Sequence, residues 1–147
     1  MTRILIDTHV LAWSMIAPSN LPSEALAAIE SASAVLVPPC ALHELSLKVR
    51  NGKWDAMAPH AGRLDSVCLA QGFEFAPYTA RMAMAAGLLA WPHRDPFDRM
   101  IAATAIELSC PVISKDPAFD GLEGFTGWCG RIWSGGSDAR PQDDHMC

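Results

Sequence analysis

No apolar run in the 147 residues approaches the roughly 20 residues that span a bilayer, so no membrane-crossing helix is expected. The apolar stretch from Ile4 to Ile16 is broken by Asp7 and His9, and no small-residue cleavage site follows it, which argues against a secretory signal. Paired cysteines are lacking too. Cys40, Cys68, Cys110, Cys129 and Cys147 form no C-x-x-C, and their number is odd. Neither a disulfide framework nor a zinc knuckle is indicated, and a reducing cytoplasm is the simplest compartment. Cys68 and Cys110 lie in apolar stretches and read as small core residues. Positive charge is scarce. The 11 Lys and Arg against 16 Asp and Glu leave a net charge of −5, a poor match to a non-specific DNA coat. Residues 134–147 carry −2 of that charge, through Asp138, Asp143 and Asp144 against Arg140. If acids elsewhere hold divalent metal, the working surface is near neutral, so net charge does not exclude a nucleic-acid substrate.

What is present is a core. The chain is 50% hydrophobic, and its length suits one domain that folds without disulfides or a structural metal. Ile4-Leu5-Ile6, Val35-Leu36-Val37, Phe73-Glu74-Phe75 and Pro111-Val112-Ile113-Ser114 read as short buried strands. Helices are expected from Val10 to Ile16, after a Ser23 cap to about Ser31, from Ala41 to Arg50, through Leu64, Val67 and Leu69, from a Thr79 cap to Ala90, and from Phe97 to Ser109. The segment with Trp54, Pro59 and His60 reads as a loop, and Asp116-Pro117 starts a short helical turn. Strand and helix alternate, which predicts a three-layer α/β/α fold with a short parallel β-sheet. Arg131-Ile132-Trp133 is a candidate last edge strand. The domain is expected to span residues 1–133, with 134–147 as a loose tail.

Open α/β sheets bind ligands beyond the carboxyl ends of their strands. Asp7 follows the first strand and Asp116 lies just past the fourth. Glu44 falls in the first turns of the helix after strand two, and Asp98 in the first turn of the helix before strand four. Four carboxylates can therefore converge. Such a cluster repels itself unless a hard divalent cation neutralises it, and Mg²⁺ or Mn²⁺ on oxygen ligands suits phosphodiester hydrolysis. Each acid also has a plainer reading. Asp95 before Pro96 is an N-cap with proline at the first helical position, and Asp98 can meet the helix dipole. Asp116 before Pro117 is another cap, and Glu44 can pair with Lys48 four residues on. Asp7 is hardest to explain this way, because an acid ending a buried strand is costly unless it binds something.

Four segments carry a family resemblance. Ile4-Leu5-Ile6-Asp7-Thr8-His9-Val10-Leu11-Ala12-Trp13 resembles the opening of PIN-domain proteins, in the branch with Asp-Thr-His and a following Trp. Leu42-His43-Glu44-Leu45-Ser46-Leu47-Lys48-Val49-Arg50-Asn51-Gly52-Lys53 resembles that branch's second motif. His93-Arg94-Asp95-Pro96-Phe97-Asp98-Arg99-Met100-Ile101-Ala102-Ala103 resembles its third, and Ser114-Lys115-Asp116-Pro117-Ala118-Phe119 its fourth. Order and spacing agree over about residues 3–120.

The resemblance implies a Mg²⁺- or Mn²⁺-dependent endoribonuclease, in bacteria most often the toxin of a VapBC-like toxin–antitoxin pair. By position, Asp7 and Asp98 would be the principal metal ligands. Glu44 would hold a second metal or orient water, and Asp116 would complete the cluster. Thr8 and Ser114 match positions that often carry a supporting hydroxyl. Metal-activated water would attack an RNA phosphodiester in line, leaving a 5′-phosphate and a 3′-hydroxyl. Arg94, Arg99, Lys48 and Lys115 flank the acids and are candidates for phosphate contact, against a reading as solvated surface charge. His9 and His93 read as local hydrogen-bonding residues rather than general bases. The implied partners are RNA, a cognate antitoxin and a second copy of the chain in a homodimer; no membrane partner is expected. The apolar face around Trp13 and Met15 fits ordinary core packing better than a partner contact. A non-catalytic PIN-like interaction module is the competing function, disfavoured because all four acids are present. A phosphoaspartyl phosphatase is disfavoured because Thr8-His9 follows Asp7 and no Asp-x-Asp motif forms.

Overall fold

The computed structural model describes residues 2–134; the expected tail lies, but for its first residue, outside the described residues. Five strands form one sheet: β1 (Arg3–Ile6), β2 (Ala34–Val37), β3 (Glu74–Phe75), β4 (Val112–Ile113) and β5 (Arg131–Ile132). Their order is β3-β2-β1-β4-β5, and every neighbouring pair is parallel. Six helices connect them: α1 (Thr8–Ile16), α2 (Ser23–Ser31), α3 (Pro39–Arg50), α4 (Leu64–Ala70), α5 (Ala80–Leu88) and α6 (Pro96–Leu108).

The sheet is central because its residues are apolar on both sides. Ile4, Ile6, Val35 and Val37 face one layer with Val10, Leu11, Ala25, Leu45 and Cys68, from α1 through α4. Leu5, Leu36 and Val112 face the other, with Ile101, Ala102 and Ala105 of α6 and with Phe119 and Leu122. Consecutive strand residues point to opposite faces, so each uninterrupted aliphatic triplet supplies both cores. The result is the expected α/β/α sandwich. Cys68 and Cys110 are buried, as read from sequence, and burial pushes both thiols up to about 11.

Three local expectations change. Ser23 is the first residue of α2 rather than its cap; Pro22 holds the cap position and no side chain caps the helix. The presumed loop around Pro59 is a 3-10 segment, Asp55–Arg63, that buries Met57 and packs on α3. α5 ends at Leu88, two residues early, where the backbone turns extended at Leu89. Elsewhere the caps follow the sequence. The Thr79 hydroxyl accepts the Met82 amide, and Gly72 ends the α4 segment at φ +84°, where a side chain would be strained. Trp13 and Met15 pack against the first core while staying partly exposed. Among the described residues no helix is long and apolar enough to cross a membrane.

Candidate metal centre

The strand order places a topological switch between β1 and β4: the chain leaves β1 for β2 on one side and comes back to β4 on the other. Ligand clefts open at such points. Leu5 and Ile6 pair with Val112 and Ile113, so Asp7 and Ser114 leave the sheet side by side, and the Asp7 amide donates to the Ile113 carbonyl at 3.2 Å. Asp7 is also the N-cap of α1, its Oδ1 accepting the Val10 amide at 2.9 Å. One residue thus ends the strand, starts the helix and places a carboxylate at the sheet edge.

Three other elements bring acids to the same place. Glu44 comes from α3 and is held from two sides: the buried Thr8 hydroxyl donates to Oε1 at 2.6 Å, and Lys48 Nζ lies 3.3 Å from Oε2. Asp98 sits in the first turn of α6, and His93 Nε2 lies 2.7 Å from its Oδ2. Asp116 caps the 3-10 turn Pro117–Leu122 with Oδ1 on the Ala118 amide at 2.9 Å, and its own amide donates to Ser114 Oγ at 3.0 Å. Asp7, Thr8, His9, Glu44, Lys48, Asp95, Asp98 and Asp116 line one cleft of about 150 Å³. The geometry therefore brings the four acids read from sequence together.

Asp95 keeps the capping role expected for it, accepting the Phe97 and Asp98 amides at 2.8 and 3.3 Å. It also fixes the start of α6 and hence the position of Asp98. Ser114 is fully buried beneath the cleft, and Arg131 Nη1 donates to its carbonyl at 3.1 Å while clasping Asp120. Arg94, next in the chain to the cleft-lining Asp95, is exposed, with no protein hydrogen-bond partner among the described residues.

Arg99 departs from expectation. Its guanidinium donates to five contacts on backbone carbonyls: Ala86, Gly87, Leu89, Trp91 and His93, at 2.6–3.3 Å. A fully engaged fork has nothing left for a phosphate. Arg99 instead ties the end of α5 and the following loop to α6, holding His93 against Asp98. His93 is the local hydrogen-bonding residue that the sequence suggests, but its place among possible metal ligands was not legible there. Its nitrogen and oxygens of Asp98 and Asp116 all lie within 4.8 Å of one another, a group able to hold a metal ion. The one available signal was its spacing, five residues ahead of Asp98 across a proline-capped helix start.

Burial dominates the electrostatics. Burial pushes the Asp7 carboxyl up to about 7, with Asp98 and Glu44 adding repulsion; the Ser114 hydroxyl and the Val10 amide pull it back only in part. Burial likewise raises Asp98 to about 6, against the stabilising His93 bond. His9 is shifted down, first by burial and then by Lys48. Among the described residues, Asp98 and Asp116 each keep one carboxylate oxygen free of protein partners. An oxygen-rich set whose charged form is disfavoured by burial fits a hard divalent cation, and His93 adds one borderline nitrogen.

Two tests follow from this geometry. In metal-free protein, Asp7 holds a proton that the unfolded chain releases between pH 3.8 and about 7. Stability should therefore fall as pH rises through that window. Asp7→Asn keeps the Val10 cap and removes the charge, so it should raise the metal-free melting temperature by about 3–6 °C at pH 8 and less at pH 5. Arg99→Lys should cost about 2 kcal/mol in urea unfolding, because an ammonium cannot bridge five carbonyls.

A PIN domain model matches residues 4–124. Ribonuclease VapC22 of Mycobacterium tuberculosis is 32% identical over 118 residues, covering 79% of this chain and 88% of its own length. The crystal structure of VapBC2 from Rickettsia felis, bound to a DNA fragment from its promoter, aligns with a TM-score of 0.64 at 14% identity. It covers 90% of this chain and 100% of that one. The VapBC-5 structure from Mycobacterium tuberculosis aligns with a TM-score of 0.63 at 23% identity, over the same shares. At these identities the solved structures establish the fold; the family model and the VapC22 identity go further, and place the chain in the PIN-domain family, alongside the VapC proteins.

Proposed function

We propose that this chain is a metal-dependent endoribonuclease acting as the toxin of a VapBC-like pair, with Asp7, Glu44, Asp98 and Asp116 as its catalytic acids. The observation that carries the reading is the convergence of four carboxylates from separate elements on one small cleft at the sheet's switch point. The name of the VapC22 relative, a ribonuclease, supports RNA as substrate. Toxin–antitoxin complexes among the structural neighbours support a protein antitoxin as partner. RNA as substrate puts the site of action in the cytoplasm, and family likeness supports a homodimer.

A bound Mg²⁺ or Mn²⁺ would supply water activation and charge neutralisation at the scissile phosphate. The chain's residues do the rest. Asp7 and Asp98, with Asp116, would hold the cation through oxygens already fixed by helix caps and by His93. Glu44, aligned by Thr8 and Lys48, would hold a second metal ion or orient a water. Thr8 and Ser114 keep those carboxylates aimed without carrying charge. Arg94 is the free cation best suited to meet a phosphate in the cleft.

The test is cleavage of total cellular RNA by purified protein. Discrete products with 5′-phosphates should form with Mg²⁺ or Mn²⁺, vanish with EDTA, and be absent for Asp7→Asn/Asp98→Asn. Intact RNA with either metal, from protein freed of any co-purified antitoxin, would favour the non-catalytic interaction module.

A further inference from the structure

Beside the acidic cleft runs a set of aromatic rings that the acid chemistry does not use. His9 and Trp13 sit one turn apart on α1 and share a face, with ring centroids 5.6 Å apart at 64°. Trp54, from the chain after α3, meets His9 at 5.0 Å and 41°. Trp133, just after β5, meets Trp13 at 6.0 Å and 45°. His9 is exposed, and the three indoles are half-buried.

The five tryptophans divide into two kinds. Trp91 and Trp128 are buried, and their indole N–H groups donate to the Ala118 carbonyl at 3.2 Å and to Glu123 Oε2 at 3.3 Å. Among the described residues, the N–H groups of Trp13, Trp54 and Trp133 have no protein acceptor. Trp91 and Trp128 are thus fully used by packing, while Trp13, Trp54 and Trp133 pack against the first core yet stay partly exposed with free donors.

Two lysines stand between this wall and the cleft. Lys48 Nζ lies 5.5 Å from the Trp54 ring centroid and 3.3 Å from Glu44 Oε2. Lys115 Nζ lies 5.8 Å from the Trp13 ring centroid, and Lys115 immediately precedes Asp116. A protein-docking patch centres on apolar contacts and is depleted in lysine. Aromatic faces interleaved with lysines are the chemistry of single-stranded nucleic-acid sites, where bases stack on rings and cations follow the backbone.

We propose that the Trp54–His9–Trp13–Trp133 wall is a stacking subsite for unpaired RNA bases, with Lys48 and Lys115 holding the phosphates between those bases and the acidic cleft. The inference rests on the ribonuclease reading and adds to it a base-holding subsite outside the acids, which a base can reach from a loop, bulge or end. Bases inside a duplex have no free face to offer the wall. A nucleotide stacked there has its phosphate at the lysines and the adjoining phosphodiester at the carboxylates.

The test is anisotropy of a fluorescein-labelled single-stranded oligoribonucleotide, and of a duplex of the same length, on full-length Asp7→Asn/Asp98→Asn protein. The single strand should bind more tightly than the duplex. Trp54→Leu and Trp13→Leu should each weaken single-strand binding about five- to thirtyfold, and Trp54→Phe should retain most of it. Equal affinity for duplex, unchanged affinity in the Leu variants, or equal loss in Phe and Leu at unchanged melting temperature would overturn the proposal. Should a Leu variant fail to fold, fluorescence quenching of the unsubstituted wall by the oligoribonucleotide decides: quenching is expected, and its absence counts against the wall. Unchanged RNA binding with loss of a co-purified protein partner would assign the wall to protein docking instead. Cleavage separates the two levels. If only the wall is wrong, Trp54→Leu in an otherwise native chain cleaves RNA as the native protein does. If the ribonuclease reading is wrong, the native protein does not cleave RNA with either metal.

Discussion

Burial of carboxylates crowded at one sheet edge is the constraint around which this molecule is arranged. Asp7 is buried and Asp98 half-buried, both are disfavoured as anions, and Glu44 and Asp95 add to the negative field. Left to themselves such groups would take up protons or move apart. Asp7 keeps a proton to about pH 7 in metal-free protein, and the acids stay together because each is fixed by a separate piece of the fold. Asp7 ends β1 and caps α1, Asp116 caps the turn after β4, Asp95 caps α6 so that Asp98 follows in its first turn, and Glu44 is clamped between Thr8 and Lys48. For Asp7 and Asp116 the hydrogen bond that holds the carboxylate in the cleft also starts a helix or turn, whereas Glu44 and Asp98 are held by side chains. Removing an acid therefore perturbs structure and chemistry together, whereas an amide in its place separates them.

A second layer keeps the first in register. Arg99 is held in a cage of backbone carbonyls and anchors the loop that presents His93. Arg131 links the edge strand β5 to the Ser114 carbonyl and to Asp120, so a two-residue strand helps set the floor of the cleft. Positive charge in this acidic chain is thus divided by task. Arg99 and Arg131 are consumed by the fold, Lys48 is shared between Glu44 and Trp54, and Arg94 is left for solvent or substrate.

The layered fold and the cluster of acids were legible in the sequence for a physical reason. Buried parallel strands need unbroken aliphatic triplets, and Asp before Pro, or after such a triplet, marks a cap at a strand or helix end. Ile4-Leu5-Ile6-Asp7 and Asp95-Pro96 announce both features at once. Tertiary choices were hidden. Nothing in the local pattern distinguishes Arg99, which faces carbonyls, from Arg94, which faces water; each stands next to an aspartate of the same motif. His93 lies across a proline-fixed turn from Asp98, so its approach depends on the loop that Arg99 holds. The 3-10 segment at Asp55–Arg63 contains Pro59 and lacks a clear helical period, yet Met57 is anchored in the core. Ser23 has the chemistry of a cap, but Pro22 pre-sets the turn one residue earlier.

The central claim, that this cleft is built to hold a divalent cation, is tested most directly by Mn²⁺ titration followed by electron paramagnetic resonance, in which free Mn²⁺ gives the signal and bound Mn²⁺ removes it. The native chain should take up Mn²⁺ stoichiometrically at pH 7.5, and Asp7→Asn/Asp98→Asn protein of equal fold should leave it free. Equal uptake by both proteins, or no uptake by the native chain at millimolar Mn²⁺, would contradict the claim.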